Sequence, residues 1–162
     1  MTRLHAFHEK LNETPPAGLL ASHTWRVEAV PWLGGLSSFE DWYVLEDASH
    51  LDALAEAAVS HRLRPVHDSL AHLSARGTAG LYKPARRVQA QAGGPIATWF
   101  SKPAGESYDD LYTWLDEQDP SIAVRLWQRF LTLGPGPEFC VVGNEAVDLP
   151  AGCAPAVVQR YQ

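Results

Sequence analysis

Apolar residues along the chain recur with two periods, and the periods locate most of its elements. In "TWRVEAVPW", Trp25, Val27 and Ala29 alternate with Arg26 and Glu28, which predicts a strand with one buried face, stopped by Pro31. "FEDWYVLED", residues 39–47, is dense in aromatic and β-branched side chains and predicts a second strand. Behind it Leu51, Leu54, Ala55 and Ala58 recur at helical spacing, opened by Ser49 and Asp52 in the positions of a capping box. Pro65 starts a further helical stretch, with a stripe of Val66, Leu70 and Leu73, which Gly77 ends.

Two short strands follow, "TAGLYK" and "PIATWFSK", separated by the polar connection "PARRVQAQAGG". Ser107 and Asp110 predict a cap for the helix in "SYDDLYTWLDEQ", which Asp119-Pro120 terminates. "SIAVRLWQRFLTL", residues 121–133, fits a helix and a strand equally, because its apolar residues support both periods. "EFCVVG" is a last strand after the "GPGP" break. The amphipathic "LHAFHEKL" and the turn "NETPPAG" read as an N-terminal arm over residues 1–22, whose removal the domain is expected to tolerate. Residues 144–162 are rich in Pro, Ala and Gly without clear periodicity and read as an irregular tail, leaving one α+β domain over residues 23–143.

From residue 39 to residue 142 the order is strand, helix, strand, strand, helix, strand. That is the split βαβ order of ferredoxin-like folds, so the expected fold is an antiparallel βαββαβ sheet with helices on one face, plus an extra N-terminal strand and arm. With this order, the aromatic strands "FEDWYVLED" and "PIATWFSK" and the closing "GPGPEFCVV", the chain resembles the dimeric α/β-barrel superfamily. The resemblance covers about two thirds of the chain and rests on element order and aromatic loading. It implies a homodimer in which each sheet closes over a cavity for a small molecule. Members include cofactor-free oxygenases, haem-handling enzymes and many uncharacterised proteins, and no catalytic motif of any of them is present here. An antiparallel sheet with one helical layer also leaves a face open, which gives dimerisation a physical motive.

Charge narrows the function classes. The formal net charge of −6 and the lack of a long Lys/Arg run argue against a general nucleic-acid binder, while leaving room for a small anionic ligand. No apolar h-region or membrane-length apolar run is present, so secretion and membrane insertion are not expected and a cytoplasmic location is. Cys140 and Cys153 match no metal spacing and are expected as reduced, buried thiols. No GxSxG, P-loop or GxGxxG pattern occurs, and no cofactor is implied.

The histidines of "HRLRPVHDSLAH", residues 61–72, are the most obvious candidate chemistry. Asp68 and His72 are one helical turn apart, but they lie about 200° and 240° from Val66, on the solvent side of the stripe. His67 and His72 diverge by about 140°, whereas a helical zinc pair needs i, i+4 on one face, so no metal site is expected. His67, about 100° from the stripe, sits on the helix flank. Ordinary partial burial is the stronger account of it, yet it is the histidine kept as a candidate acid/base.

Six tryptophans in 162 residues exceed what a domain of this size usually carries. Trp42, Tyr82 and Trp99 lie on expected strands and are candidates to line a pocket, since buried indole N–H and phenol O–H groups need partners. Lys83, Arg86 and Arg87 follow the third expected strand and are candidate contacts for an anionic group, although solvated loop charge is the stronger account of them. The expectation is a homodimer binding a small hydrophobic or aromatic ligand, with cofactor-free oxygenase or isomerase-type chemistry as an extension. The alternative is a non-catalytic interaction module whose aromatics build only the core and an interface.

Overall fold

The computed structural model describes residues 2–86 and 91–162. Four α-helices, α1 (Thr2–Glu13), α2 (Leu51–Ala58), α3 (Arg64–Ala71) and α4 (Tyr108–Gln118), accompany seven strands. The strands are β1 (Leu19–Val30), β2 (Leu36–Leu45), β3 (Ala79–Pro84), β4 (Ile96–Phe100), β5 (Leu126–Leu133), β6 (Phe139–Gly143) and β7 (Ala156–Tyr161). They form one sheet ordered β2-β1-β7-β4-β6-β5-β3. The ferredoxin-like βαββαβ sheet with one extra N-terminal strand expected from the sequence is therefore not the fold: besides that strand, β1, two more, β5 and β7, take part, and β7 separates β1 from β4. The chain divides into two compact units, Met1–Arg26 with Phe39–Arg76 and Gln162, and Val27–Ser38 with Gly77–Tyr161.

In the first unit α1 carries Leu4, Phe7 and Leu11, an i, i+3, i+7 stripe, and all three are buried. Phe7 and Leu11 form a core with Leu63, against which Leu19, Tyr43, Leu54, Val66 and Leu70 pack. The expected arm is thus a helix that supplies two of the three buried residues of this core. Val66 and Leu70 face it as the stripe predicts, but α3 stops at Ala71 and Leu73 is 69% exposed. The turn before α2 is capped by Asp47, which accepts the Ser49 backbone N–H at 2.8 Å, and not by Ser49. Gly18 has φ +75°, and a Cβ there would overlap the His50 ring, so glycine is required where Glu46 N–H meets the Gly18 carbonyl.

In the second unit β3 and β5, β4 and β6, β4 and β7, and β5 and β6 pair antiparallel, which fixes which side chains share a face. Phe100 pairs with Phe139, and Val141 pairs with Leu126. These four, with Leu111 and Leu115 of α4, Ile122 and Cys153, make the core on one face. On the other face Trp99 pairs with Cys140 and with Ala156, and Cys140 pairs with Trp127. This face is also closed to water, with Ala97, Cys140 and Val142 at 0% exposure. No open sheet face exists at β4 and β6 to supply the motive for dimerisation argued from the sequence.

The cap of α4 is as the sequence predicts: Ser107 and Asp110 form a reciprocal capping box. The ambiguous 121–133 segment is a 3-10 turn, Pro120–Val124, followed by β5. Asp119 holds that turn by accepting the Ser121 N–H at 2.9 Å and the Arg125 guanidinium at 2.7 Å. β7 runs through residues read as irregular, because its alternation is inverted: Val158 and Arg160 are buried while Val157 and Tyr161 are exposed. In β1, Ala29 takes φ +54°, so Val30, and not Ala29, follows Trp25 and Val27 into the interior.

Three outcomes follow for stability. Leu11→Ala should cost about 2–5 kcal/mol in urea unfolding, and deletion of residues 2–13 should abolish cooperative unfolding of the first unit. An unchanged midpoint in either variant would contradict the core role of α1. Bonds from Ser121 and then the charge of Arg125 hold the Asp119 carboxyl below the usual carboxylate range. A depressed folded-state value means its contribution is present above about pH 4 and is lost as pH falls through that lowered value. Asp119→Asn should therefore be less stable than the parent at pH 7, with the difference shrinking in acid; a pH-independent difference would refute the charge contribution.

Candidate functional site

The aromatic candidates separate. Tyr82 and Trp99 meet in the second unit, with ring centroids 5.5 Å apart in an edge-to-face arrangement. Trp42 belongs to the first unit, where its indole N–H donates to Glu40 at 2.6 Å. A residue the sequence reading passed over, Trp32, completes the cluster: its ring lies 5.4 Å from Trp99, again edge-to-face. Trp32 sits in the 3-10 turn Pro31–Leu33, between Val30 and the paired glycines Gly34 and Gly35, both with positive φ. The adjacent Pro31, which ends the strand, is the sequence signal that could have placed it on a turn.

The geometry of this cluster follows from the sheet. Tyr82 pairs with Arg129, two residues along from the Pro84–Trp127 pair, so it shares a face with Trp127, Cys140 and Trp99. Two strands, β5 and β6, intervene between β3 and β4, a span of roughly 14 Å. The small Cys140 and the long side chains at 82 and 99 let the rings meet across it. Glycine at 80 is part of the arrangement, because a Cβ there would press on the Tyr82 ring at 2.7 Å. The Tyr82 hydroxyl donates to the Pro137 carbonyl at 2.8 Å, which fixes its ring over the face. Trp99 is 6% exposed, while Trp32 and Tyr82 are only half-buried. The cluster therefore offers aromatic faces and edges.

The charged candidates have other occupations. Arg86 binds α4: its guanidinium meets Asp116 at 2.5 Å and the Tyr112 carbonyl at 3.2 Å, and lies 4.4 Å from the Tyr112 ring centre. Burial pushes the Tyr112 phenol up, against the opposing pull of Arg86. Lys83 is exposed, with its ammonium 5.6 Å from the Phe130 ring. Arg87 lies outside the described residues. His67, in the first unit, has a side chain 39% exposed and its Nδ1 3.2 Å from Asp68. That flank is wet, and Asp68 contacts His67 where the sequence spacing had suggested His72.

A second polar cluster, also passed over, is built on the first unit. His8 is 5% exposed, stacks on Tyr43 with centroids 5.3 Å apart, and brings Nε2 to 3.4 Å from Asp41. Neither ring nitrogen makes a hydrogen bond among the described residues. Burial, and then the charge of Asp41, pushes the Tyr43 phenol far up, which keeps it neutral. A substrate cannot reach an imidazole so enclosed, and the cluster serves to join α1 to β2. Its signal was legible: His8 stands at i+4 from Leu4, on the apolar stripe of α1.

Among the described residues no group of three or more His, Cys, Asp or Glu side chains is placed to hold a metal, and no helix is long and apolar enough to cross a membrane. Cys140 packs on the Trp99 face and Cys153 in the core of the opposite face, so the sheet itself keeps the two thiols apart. Burial pushes the Cys153 thiol up. Both cysteines should be unreactive toward Ellman's reagent in the native protein, with two thiols appearing on denaturation. Rapid native reaction, or fewer than two thiols after denaturation without reductant, would contradict their placement.

Comparison with known proteins adds no family to this geometry: no family model matches the chain, and no curated protein or solved structure does.

Proposed function

We propose that the chain binds a small hydrophobic or aromatic molecule at the Trp32–Trp99–Tyr82 cluster. The observation that carries this reading is the arrangement of the rings: a buried indole touched edge-on by two half-buried aromatics from a turn and from the end strand of the sheet. Half-buried rings beside a buried one present π-faces to a planar guest, and such contacts contribute beyond the area they cover. The backbone carbonyl of Pro137, already in contact with Tyr82, adds a polar edge. The reading is of binding, since the acid/base candidate His67 is engaged with Asp68. A second reading, as an interaction module, is favoured by one observation: Phe130, Leu131 and Leu133 are 69%, 53% and 71% exposed.

A panel of aromatic acids and apolar metabolites titrated against tryptophan fluorescence, with native mass spectrometry of the same mixtures, tests the first reading. At least one compound should quench saturably and one-to-one. Trp32→Ala and Tyr82→Ala should each weaken it by about threefold to tenfold, from ~0.5–1.5 kcal/mol per aromatic contact. No saturable compound, or an affinity indifferent to both substitutions, would contradict it.

A further inference from the structure

Three exposed apolar residues, Phe130, Leu131 and Leu133, lie together on β5 at one corner of the sheet. β3 is its last strand, paired only with β5 in the strand order. Ala79 pairs with Leu133 and Leu81 with Leu131, and between Leu131 and Arg129 the register slips by one residue, Phe130. Phe130 is thus the extra residue of a bulge, and it lies under the Lys83 ammonium. Lys83, Leu81 and Ala79 alternate onto the same face, so this corner combines Leu81, Phe130, Leu131 and Leu133 with the exposed cation Lys83. α4 covers this face further in, at Phe100, Phe139, Val141 and Leu126, while the corner residues of β5 stay exposed.

The edge itself adds hydrogen-bonding capacity. The Ala85 N–H donates to the Leu126 carbonyl, so by strict alternation Lys83 and Leu81 turn their peptide groups toward β5 and Gly80 turns its own outward. Pro84 also faces outward but offers only a carbonyl, which limits pairing at that end. Charge selects the partner. Residues 77–86 and 126–137 contain Lys83, Arg86 and Arg129 and no carboxylate, in a chain of net charge −6. Arg86 is offset by Asp116, and Arg129 pairs with Tyr82 on the opposite face, so that among the described residues Lys83 is the cation on the exposed face.

We propose that the β3 edge, with Leu81, Phe130, Leu131, Leu133 and Lys83, docks an extended acidic and apolar segment of a partner protein by strand addition. Main-chain pairing along the edge supplies affinity, the apolar corner takes alternate side chains, and Lys83 takes a carboxylate. A second copy paired through the same edge would bring only more cations to a ribbon that has no acid. A lipid surface fits less well, because an open strand edge placed in hydrocarbon leaves its peptide groups without partners.

The test is a titration of the full ¹⁵N-labelled chain with a capped hexapeptide alternating valine and glutamate, beside its valine–lysine counterpart. The acidic peptide should bind saturably, with amide shifts concentrated in residues 79–84 and 130–133, and the basic peptide should bind about tenfold more weakly. Lys83→Glu, an exposed substitution that leaves the fold intact, should invert that preference, and Leu133→Ser should weaken both peptides. Equal binding of the two peptides, no binding, or a Lys83→Glu variant with unaltered preference would overturn the proposal. So would concentration-dependent dimerisation through residues 79–84, or co-sedimentation with phosphatidylserine vesicles in a chain that ignores the peptides.

Discussion

Burial of the central strands on both faces is the constraint from which the rest of the structure follows. From Ala97 to Phe100 and from Phe139 to Val142 every side chain is at most 6% exposed. A sheet shut from water on both sides cannot use the polar/apolar alternation that marks a half-buried strand, and needs large apolar groups above and below. On one face that filling is Phe100, Phe139 and the α4 leucines; on the other it is Trp99 and Trp127 around the small Cys140. Much of the aromatic load is therefore sheet filling. Only where the filling reaches the turn at Trp32 and the end strand at Tyr82 does it become half-exposed and able to meet a guest.

The elements that were legible were those whose buried face matched a simple period. α4 was readable from Ser107, Asp110, Leu111 and Leu115, because capping chemistry and the helical stripe agree. β7 was not, because Arg160 occupies the buried side and Val157 and Tyr161 the wet side, which inverts the hydropathy pattern. The end of β1 was misread for a different reason: the left-handed backbone at Ala29 shifts the alternation by one residue, a change that side-chain chemistry does not announce. Residues 121–133 stayed ambiguous since a short 3-10 turn feeds directly into a strand, and Ile122, Leu126 and Trp127 satisfy either period. With β7 hidden and residues 121–133 undecided, the ferredoxin-like order looked complete beside one extra N-terminal strand.

Among site residues the same logic separates what could be read from what could not. Tyr82 and Trp99 were recognisable as strand aromatics, but their meeting across two strands depends on the register of β3, β5 and β6. Trp42 carried an identical local signal and lies in the other unit. The histidine-rich stretch drew attention through composition alone, whereas the enclosed imidazole, His8, stood on an apolar helical stripe that periodicity does reveal. Composition marks polar groups that water can reach; position on a stripe marks those that the fold encloses.

Amide hydrogen exchange followed by NMR tests the central claim most directly, because β7 within the sheet is the feature that the sequence pattern hides. The account predicts that Ala97–Trp99, Cys140–Val142 and Val157–Val158 exchange slowest and as one cooperative group. Exchange of Val157 and Val158 at the rate of an unstructured tail, while β4 and β6 stay protected, would contradict it.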